Sequence, residues 1–264
     1  MDLELKNKVA LVTGSTGGIG FATASLFAGE GAAVVINGRS QRRVDEAVKR
    51  IQLEHEGARV KGVAADLGAK EGFELLAGAV PAVDILVNNL GIYQAKPFTE
   101  IDDEDWRLFF EVNVLSGVRL SRLYLPKMLE KNWGRIVFIS SESAQQIPVE
   151  MIHYGVTKTA QIALARGLAE MTAGTNVTVN SVLPGPTASE GVERFVQDLA
   201  KSQGIDAEDV EKEFFRTMRP TSLLKRFAAP QEVAAMVVYV CSPKASATNG
   251  AALRVDGGVV RSIV

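Results

Sequence analysis

Tyr154 and Lys158 stand four residues apart at the start of a helix-forming stretch, so their side chains leave one helix face a turn apart. At that spacing an ammonium acts on a phenol. Tyrosine titrates near ~10, and bringing it within reach of neutral pH takes roughly 4 kcal/mol at about 1.4 kcal/mol per unit. A neighbouring cation contributes by favouring the phenolate, which gives a general acid able to serve as base in reverse. A different chemistry is carried by Gly14-Ser15-Thr16-Gly17-Gly18-Ile19-Gly20, directly after the apolar run VALVT. Such glycines make a tight strand-to-helix turn, whose backbone N–H groups and helix N-terminus approach a pyrophosphate that any Cβ would obstruct. Ser141 ends another apolar run, GRIVFISS, and Asn113 is a polar amide within the mainly apolar FFEVNVLSGVRL. Neighbouring strand residues face opposite ways, so only one of Ser140 and Ser141 can face a site. The histidines offer less: His55 reads as a solvated residue of a charged helix, and His153 as pocket wall or surface. No histidine, cysteine and carboxylate cluster has metal-ligand spacing, so no catalytic metal is expected.

These groups need elements that bring them together. Short apolar runs alternate with longer amphipathic ones: VALVT and an alanine-rich helix to Glu30, AAVVIN and a charged helix from Gln41, VKGVAAD and a further helix, VDILVNN and a long helix from Asp102. The rhythm continues through GRIVFISS, a helix beginning near Met151, NVTVNSVLPG and AALRVDGG, giving seven strand candidates. Apolar residues on consecutive positions mark strands buried on both faces, and the βαβα order marks a parallel sheet covered by helices. Ser141 then falls at the carboxyl edge of the sheet, where ligands bind in doubly wound folds. No Pro/Gly/Ser-rich linker divides residues 1–264, so the reading is a single doubly wound α/β domain. One stretch, about 186–220, is too long for an ordinary connection. Its segments EGVERFVQDLAKS and AEDVEKEFFRTM read as a solvated helix pair placed as a lid over the ligand edge, with Glu190 to Glu213 richer in acids than in bases.

Composition excludes several classes. Of 264 residues, 47% are hydrophobic and 23% charged, far from the signatures of disordered or fibrous chains. With 29 basic against 31 acidic residues, the net charge of -2 offers no field for a polyanion, so nucleic acid is not an expected partner. The single cysteine, Cys241, sits in the apolar stretch AAMVVYVC and reads as a buried thiol in a reducing compartment. The N-terminal residues lack a signal-peptide pattern, and no apolar run reaches the roughly 18 to 20 residues of a membrane span. A cytoplasmic protein with no membrane partner is expected.

The spacing of the glycine turn is joined by Asp66-Leu67, Asn88-Asn89-Leu90-Gly91, Asn113, Ser141, Tyr154-Gly-Val-Thr-Lys158, Pro184-Gly185-Pro186-Thr187 and Val255-Asp256-Gly257-Gly258. In that order they resemble the short-chain dehydrogenase/reductase family over nearly the whole chain, with one departure at Leu90, where the family more often carries Ala. The resemblance implies a Rossmann fold with a seven-stranded parallel sheet in the order 3-2-1-4-5-6-7 and helices on both faces. It implies an oxidoreductase moving hydride between a nicotinamide cofactor and a carbonyl or alcohol. Its catalytic set would be Asn113, Ser141, Tyr154 and Lys158. Tyr154 would be the general acid/base, Ser141 would bind the substrate oxygen, Lys158 would also hold the nicotinamide ribose, and Asn113 would hold a water joining Lys158 to solvent. Cofactor contacts would come from Gly14, Ser15, Thr16, Gly18, Ile19, Gly20, Arg39, Ser40, Asp66, Leu67, Asn89, Gly91, Tyr154, Lys158, Pro184, Gly185 and Thr187.

The second strand ends Val35-Ile36-Asn37-Gly38-Arg39-Ser40, without the carboxylate that meets the ribose hydroxyls of NAD. Arg39 offers a planar fork suited to a 2′-phosphate and Ser40 a hydroxyl, so NADP(H) is expected over NAD(H). Family members that reduce 3-oxoacyl groups on acyl carrier protein dock it through basic residues, where this chain has Asn132 and Thr175. An acidic insert would also repel an acidic carrier. The expected substrate is a small or medium-sized free ketone or secondary alcohol. The alternatives are a 3-oxoacyl carrier-protein or CoA reductase, a non-catalytic NADP-binding regulator, and an isomerase or dehydratase. Family members usually pair their C-terminal regions as tetramers; Val259-Val260 and Ser262-Ile263-Val264 end this chain with little polar cover, and a homotetramer is expected.

Overall fold

In the computed structural model, which describes residues 1–190, 192, 196–197, 200–201 and 206–263, every strand candidate forms. The strands are β1 (Val9–Val12), β2 (Ala33–Gly38), β3 (Val60–Ala64), β4 (Ile85–Asn88), β5 (Gly134–Ile139), β6 (Val177–Pro184) and β7 (Ala252–Val255). All pair in parallel in one sheet, ordered β3-β2-β1-β4-β5-β6-β7. Side chains alternate across a strand: Ala10 and Val12 enter one apolar cluster with Phe27, Ile36 and Val237, while Leu11 enters the other with Leu86, Tyr124 and Ile136. At roughly 1.5 to 3 kcal/mol for each fully buried large aliphatic or aromatic side chain, these two layers fix the sheet and hence its carboxyl edge.

The described helices are α1 (Gly18–Gly29), α2 (Gln41–Glu54), α3 (Lys70–Ala79), α4 (Asp103–Phe110), α5 (Ser116–Glu130), α6 (Ile152–Glu170), α7 (Ala207–Thr217) and α8 (Pro230–Val240). The long helix expected from Asp102 is two helices. Asp102 caps α4 through a reciprocal box with Asp105, and a π-helical turn, Glu111–Leu115, joins α4 to α5. Such turns widen the helix by one residue and let a backbone acceptor turn aside, which single-sequence periodicity does not register.

Of the two helices expected in the insert, the second is α7, while EGVERFVQDLAKS lies largely outside the described residues. Phe214 and Phe215 of α7 cluster with Phe227 at ring separations of 5.1 to 5.2 Å, tying the insert to the loop before α8. Cys241 is buried, and burial pushes its thiol up to about 12. Among the described residues no helix is long and apolar enough to cross a membrane.

Candidate active site

Ser141, Tyr154 and Lys158 line one cavity of about 630 Å³ at the carboxyl edge of the sheet. Beyond β5, Ser141 opens a short 3-10 turn, Glu142–Ala144, and its Oγ accepts the N–H of Ser143 (3.1 Å). Ser140 commits its hydroxyl to the backbone oxygen of Lys158 (2.8 Å), leaving Ser141 to meet the Tyr154 hydroxyl. Tyr154 and Lys158 rise from the first turns of α6, with Lys158 Nζ 5.6 Å from the tyrosine ring centre, and Tyr93 packs edge-on against that ring at 6.4 Å.

The charge states depart from the simple picture of a lysine lowering a tyrosine. Burial pushes the Tyr154 phenol up, with the Ser141 hydrogen bond pulling the other way, and burial brings the Lys158 ammonium down to about 7. Desolvation outweighs the cation here because Lys158 Nζ donates to the Ile139 carbonyl (2.9 Å) and Gln161 Oε1 (3.2 Å) instead of the phenol. Asn113 lies behind the cavity wall, within the π-helical turn. Its Oδ1 accepts from Ile92 N (2.8 Å), its Nδ2 donates to Ile92 O and Thr157 Oγ1 (both 3.0 Å), and its carbonyl accepts from Gln161 Nε2. It therefore braces the segment after β4 against α6.

The glycine turn between β1 and α1 has the backbone its residues demand. Gly14 and Gly18 hold φ of +58° and +56°, and a Cβ on Gly20 would stand 2.5 Å from Asn89 Nδ2 and 2.6 Å from Gly14 O. No side chain caps the N-terminus of α1, which borders the cavity through Gly17, Ile19 and Gly20. Two asparagines hold the turn from behind. Asn89 Nδ2 donates to Thr13 O and Gly14 O (2.9 and 3.0 Å); Asn37 Oδ1 accepts from Gly14 N (3.4 Å), and its Nδ2 donates to Val63 O and Ala65 O. Ser15 is turned inward, its N–H to Asn37 O (2.8 Å) and its Oγ to Val12 O (2.6 Å), so its side chain serves the turn.

Thr16, Gly38, Arg39, Ser40 and Leu67 line a second cavity of about 190 Å³. Arg43, which has no place in the sequence expectation, joins them from the first turn of α2, three residues beyond its N-cap Ser40. Its guanidinium pairs with Glu190 of the insert (2.8 Å), while Ser40 Oγ accepts from Arg43 N as the N-cap of α2. Gly91, Pro184, Gly185 and Thr187 line the first cavity. Asp66 lines neither of these two cavities: it is exposed, and its carboxylate accepts from Gly68 N (3.0 Å).

Glu142, which the sequence placed only at the start of the pocket wall and outside the catalytic set, also reaches the serine. Its Oε2 accepts from Ser141 Oγ (2.6 Å) and Ser143 N (2.9 Å), and its Oε1 accepts from Arg219 Nε (3.0 Å), with side chains only 6% and 10% exposed. A buried ion pair thus holds the serine hydroxyl. A glutamate beside a strand-end serine was visible in the sequence; its cationic partner, 77 residues away, was not. The histidines both differ from expectation. His153 is fully buried, with both ring nitrogens unpartnered and its ring 4.0 Å from that of Phe109, so it is neither pocket wall nor surface. His55 is half-buried, with Nε2 on Ser25 Oγ (2.9 Å) rather than solvated. Among the described residues no group of three or more His, Cys, Asp or Glu is placed to hold a metal ion.

Comparison with known proteins bears on this arrangement. Residues 8–200 match the model of a family described as short chain dehydrogenase. The uncharacterized oxidoreductase YvaG of Bacillus subtilis (strain 168) is 49% identical over 263 residues, covering 100% of both chains. The 3-oxoacyl-[acyl-carrier-protein] reductase FabG of Aquifex aeolicus (strain VF5) is 35% identical, covering 98% of this chain and 100% of its own. Among solved structures, L-sorbose reductase from Gluconobacter frateurii, complexed with NADPH and L-sorbose, matches 100% of both chains at 33% identity and a TM-score of 0.93. Because the family model runs through both the glycine turn and the Tyr154–Lys158 pair, and relatives match from end to end, the chain belongs to the short chain dehydrogenase family and is an oxidoreductase.

Proposed function

We propose that this oxidoreductase uses NADP(H) to interconvert a small or medium-sized free ketone and its secondary alcohol, with Tyr154 handling the proton. The observation that carries the reading is the meeting of Ser141, Tyr154 and Lys158 in one cavity with the uncapped N-terminus of α1. A dinucleotide fits these residues. The turn leaves no Cβ where a diphosphate would lie, α1 offers unpaired N–H groups, and Arg39, Ser40 and Arg43 surround a cavity suited to a 2′-phosphate. The NADPH complex of the sorbose reductase supports the same choice.

When bound, the cofactor supplies or removes hydride at the carbonyl carbon. The chain's own work is to orient and to move a proton. Tyr154 donates its hydroxyl proton to the carbonyl oxygen as charge develops there and takes it back from the alcohol in reverse. Ser141 swings its proton from Glu142 to that oxygen, and Arg219 assists by drawing on the Glu142 carboxylate. Lys158 would hold the nicotinamide ribose; any pull it exerts on the phenol toward phenolate is outweighed by the burial of both groups. Phe214, Met218 and Arg219 reach the cavity from the described part of the stretch 186–220, and we read that part as a lid over the cavity of what we take to be a single domain.

The similarity to FabG keeps 3-oxoacyl carriers as a second reading. Against it, Asn132 spends its Oδ1 on Asn176 N (3.0 Å) and brings no cation to a carrier. The test is a panel of free ketones, alcohols and 3-oxoacyl thioesters assayed with NADPH and NADH side by side. Faster turnover of a free carbonyl with NADPH is expected. A preference for NADH, or activity confined to carrier-linked substrates, overturns the corresponding part of the reading.

A further inference from the structure

Gln161 lies on α6 just beyond Lys158 and is 1% exposed. A buried amide is costly unless both of its ends are bonded. Here both are: Oε1 accepts from Lys158 Nζ (3.2 Å), and Nε2 donates to the backbone carbonyl of Asn113. That carbonyl belongs to the π-helical turn Glu111–Leu115. Lys158 Nζ gives a second proton to Ile139 O (2.9 Å), and a Cβ added at Gly91 would stand 3.2 Å from it. An ammonium has three protons. Two are held by Gln161 and Ile139, and the third is left for the cavity that Lys158 lines.

We propose that Gln161 is a positioning residue of the reaction, its amide tying the Lys158 ammonium to the Asn113 carbonyl so that one lysine proton is turned toward the cavity. The proposal rests on reading Tyr154 and Lys158 as the proton-handling pair. The amide accepts from lysine and donates to the carbonyl as a bridging water would, but it passes no proton onward, since it neither gains nor loses one near neutral pH.

The test titrates Lys158 in the cofactor-free protein. Its rate of acetylation by acetic anhydride is followed across pH by mass spectrometry of the Lys158 peptide, in wild type, Gln161→Met and Gln161→Glu. Gln161→Met keeps length and volume but removes the acceptor, so the midpoint moves down, by about one unit. Gln161→Glu sets a carboxylate against the ammonium, so the midpoint moves up, by about one to three units. A residue with only a structural role would not produce shifts of opposite sign. Midpoints that coincide with wild type, or move the same way, overturn the proposal. Thermal melting checks folding, and if Gln161→Met does not fold, the Glu variant decides alone: an unmoved midpoint overturns. NADPH oxidation by Tyr154→Phe separates the two levels. Retained turnover there removes the Tyr–Lys reading and this proposal with it, whereas an inactive Tyr154→Phe beside unshifted midpoints removes only the role of Gln161.

Discussion

Tyr154 separates binding from chemistry. Tyr154→Phe keeps the ring that packs against Tyr93 and removes the proton. Turnover is expected to fall by at least ~10² to 10⁴, the usual share of a general acid, while NADPH binding, read by fluorescence titration, is retained. We propose that cofactor choice turns on Arg39 and Arg43, which border the same small cavity. Charge-assisted hydrogen bonds contribute about 1.5 to 3 kcal/mol each, so Arg39→Ala should weaken NADPH by roughly one to two powers of ten and leave NADH nearly untouched, at about 1.4 kcal/mol per tenfold. Comparing kcat/KM with both cofactors checks this; equal losses would assign Arg39 to the fold or the adenine face. Placing a carboxylate at Gly38 looks from the sequence like a route to NAD preference. The structure alters that expectation: a Cβ there would stand 2.6 Å from Thr16 Cγ2. Gly38→Asp must therefore displace Thr16, and with it a wall of the cavity, whichever cofactor is offered.

At the scale of the element, α6 does two kinds of work. One face presents Tyr154 and Lys158 to the cavity, and a second packs His153 against Phe109 and Trp106 of α4. Burial holds His153 below its ordinary value of 6.5, with Asp105 opposing and Lys96 reinforcing the shift. The folded protein then binds fewer protons at this site than the unfolded chain. The stability involved is fully present above the unfolded value of about 6.5 and is lost as pH falls from there through the lower folded value. His153→Leu removes both the titration and two unpartnered nitrogens. Its unfolding midpoint in urea should match or exceed wild type at pH ~7.5, and it should lose less between pH ~7.5 and ~5.5. Equal losses in the two proteins would show that His153 does not govern the acid limb.

At the scale of the whole molecule, the chain leaves apolar side chains uncovered. Leu108, Phe110 and Leu115 are exposed along α4 and the turn into α5, and Ile263 is 97% exposed near the C-terminus. A second copy would cover such surface, and we propose a homotetramer; sedimentation at micromolar concentration should show an assembly, and a monomer would remove the proposal. Much of the molecule was legible beforehand. The apolar runs located all the strands, because two-sided burial writes itself into consecutive residues. The glycine turn and the Tyr154–Lys158 spacing were readable because each depends on residues within a single turn or helix face. What the sequence by itself determined, then, was local: which segments form strands and helices, and which side chains one element presents together. Tertiary structure alone decided the pairings across elements: Glu142 with Arg219, Arg43 with Glu190, Gln161 with Asn113. It alone decided the proton affinities as well, because burial sets Lys158 at about 7 and raises Tyr154. The physical reason is common to both. Hydrogen-bond partners and desolvation depend on what long-range packing brings near a group and on how much water it excludes, and neither is a property of neighbours along the chain.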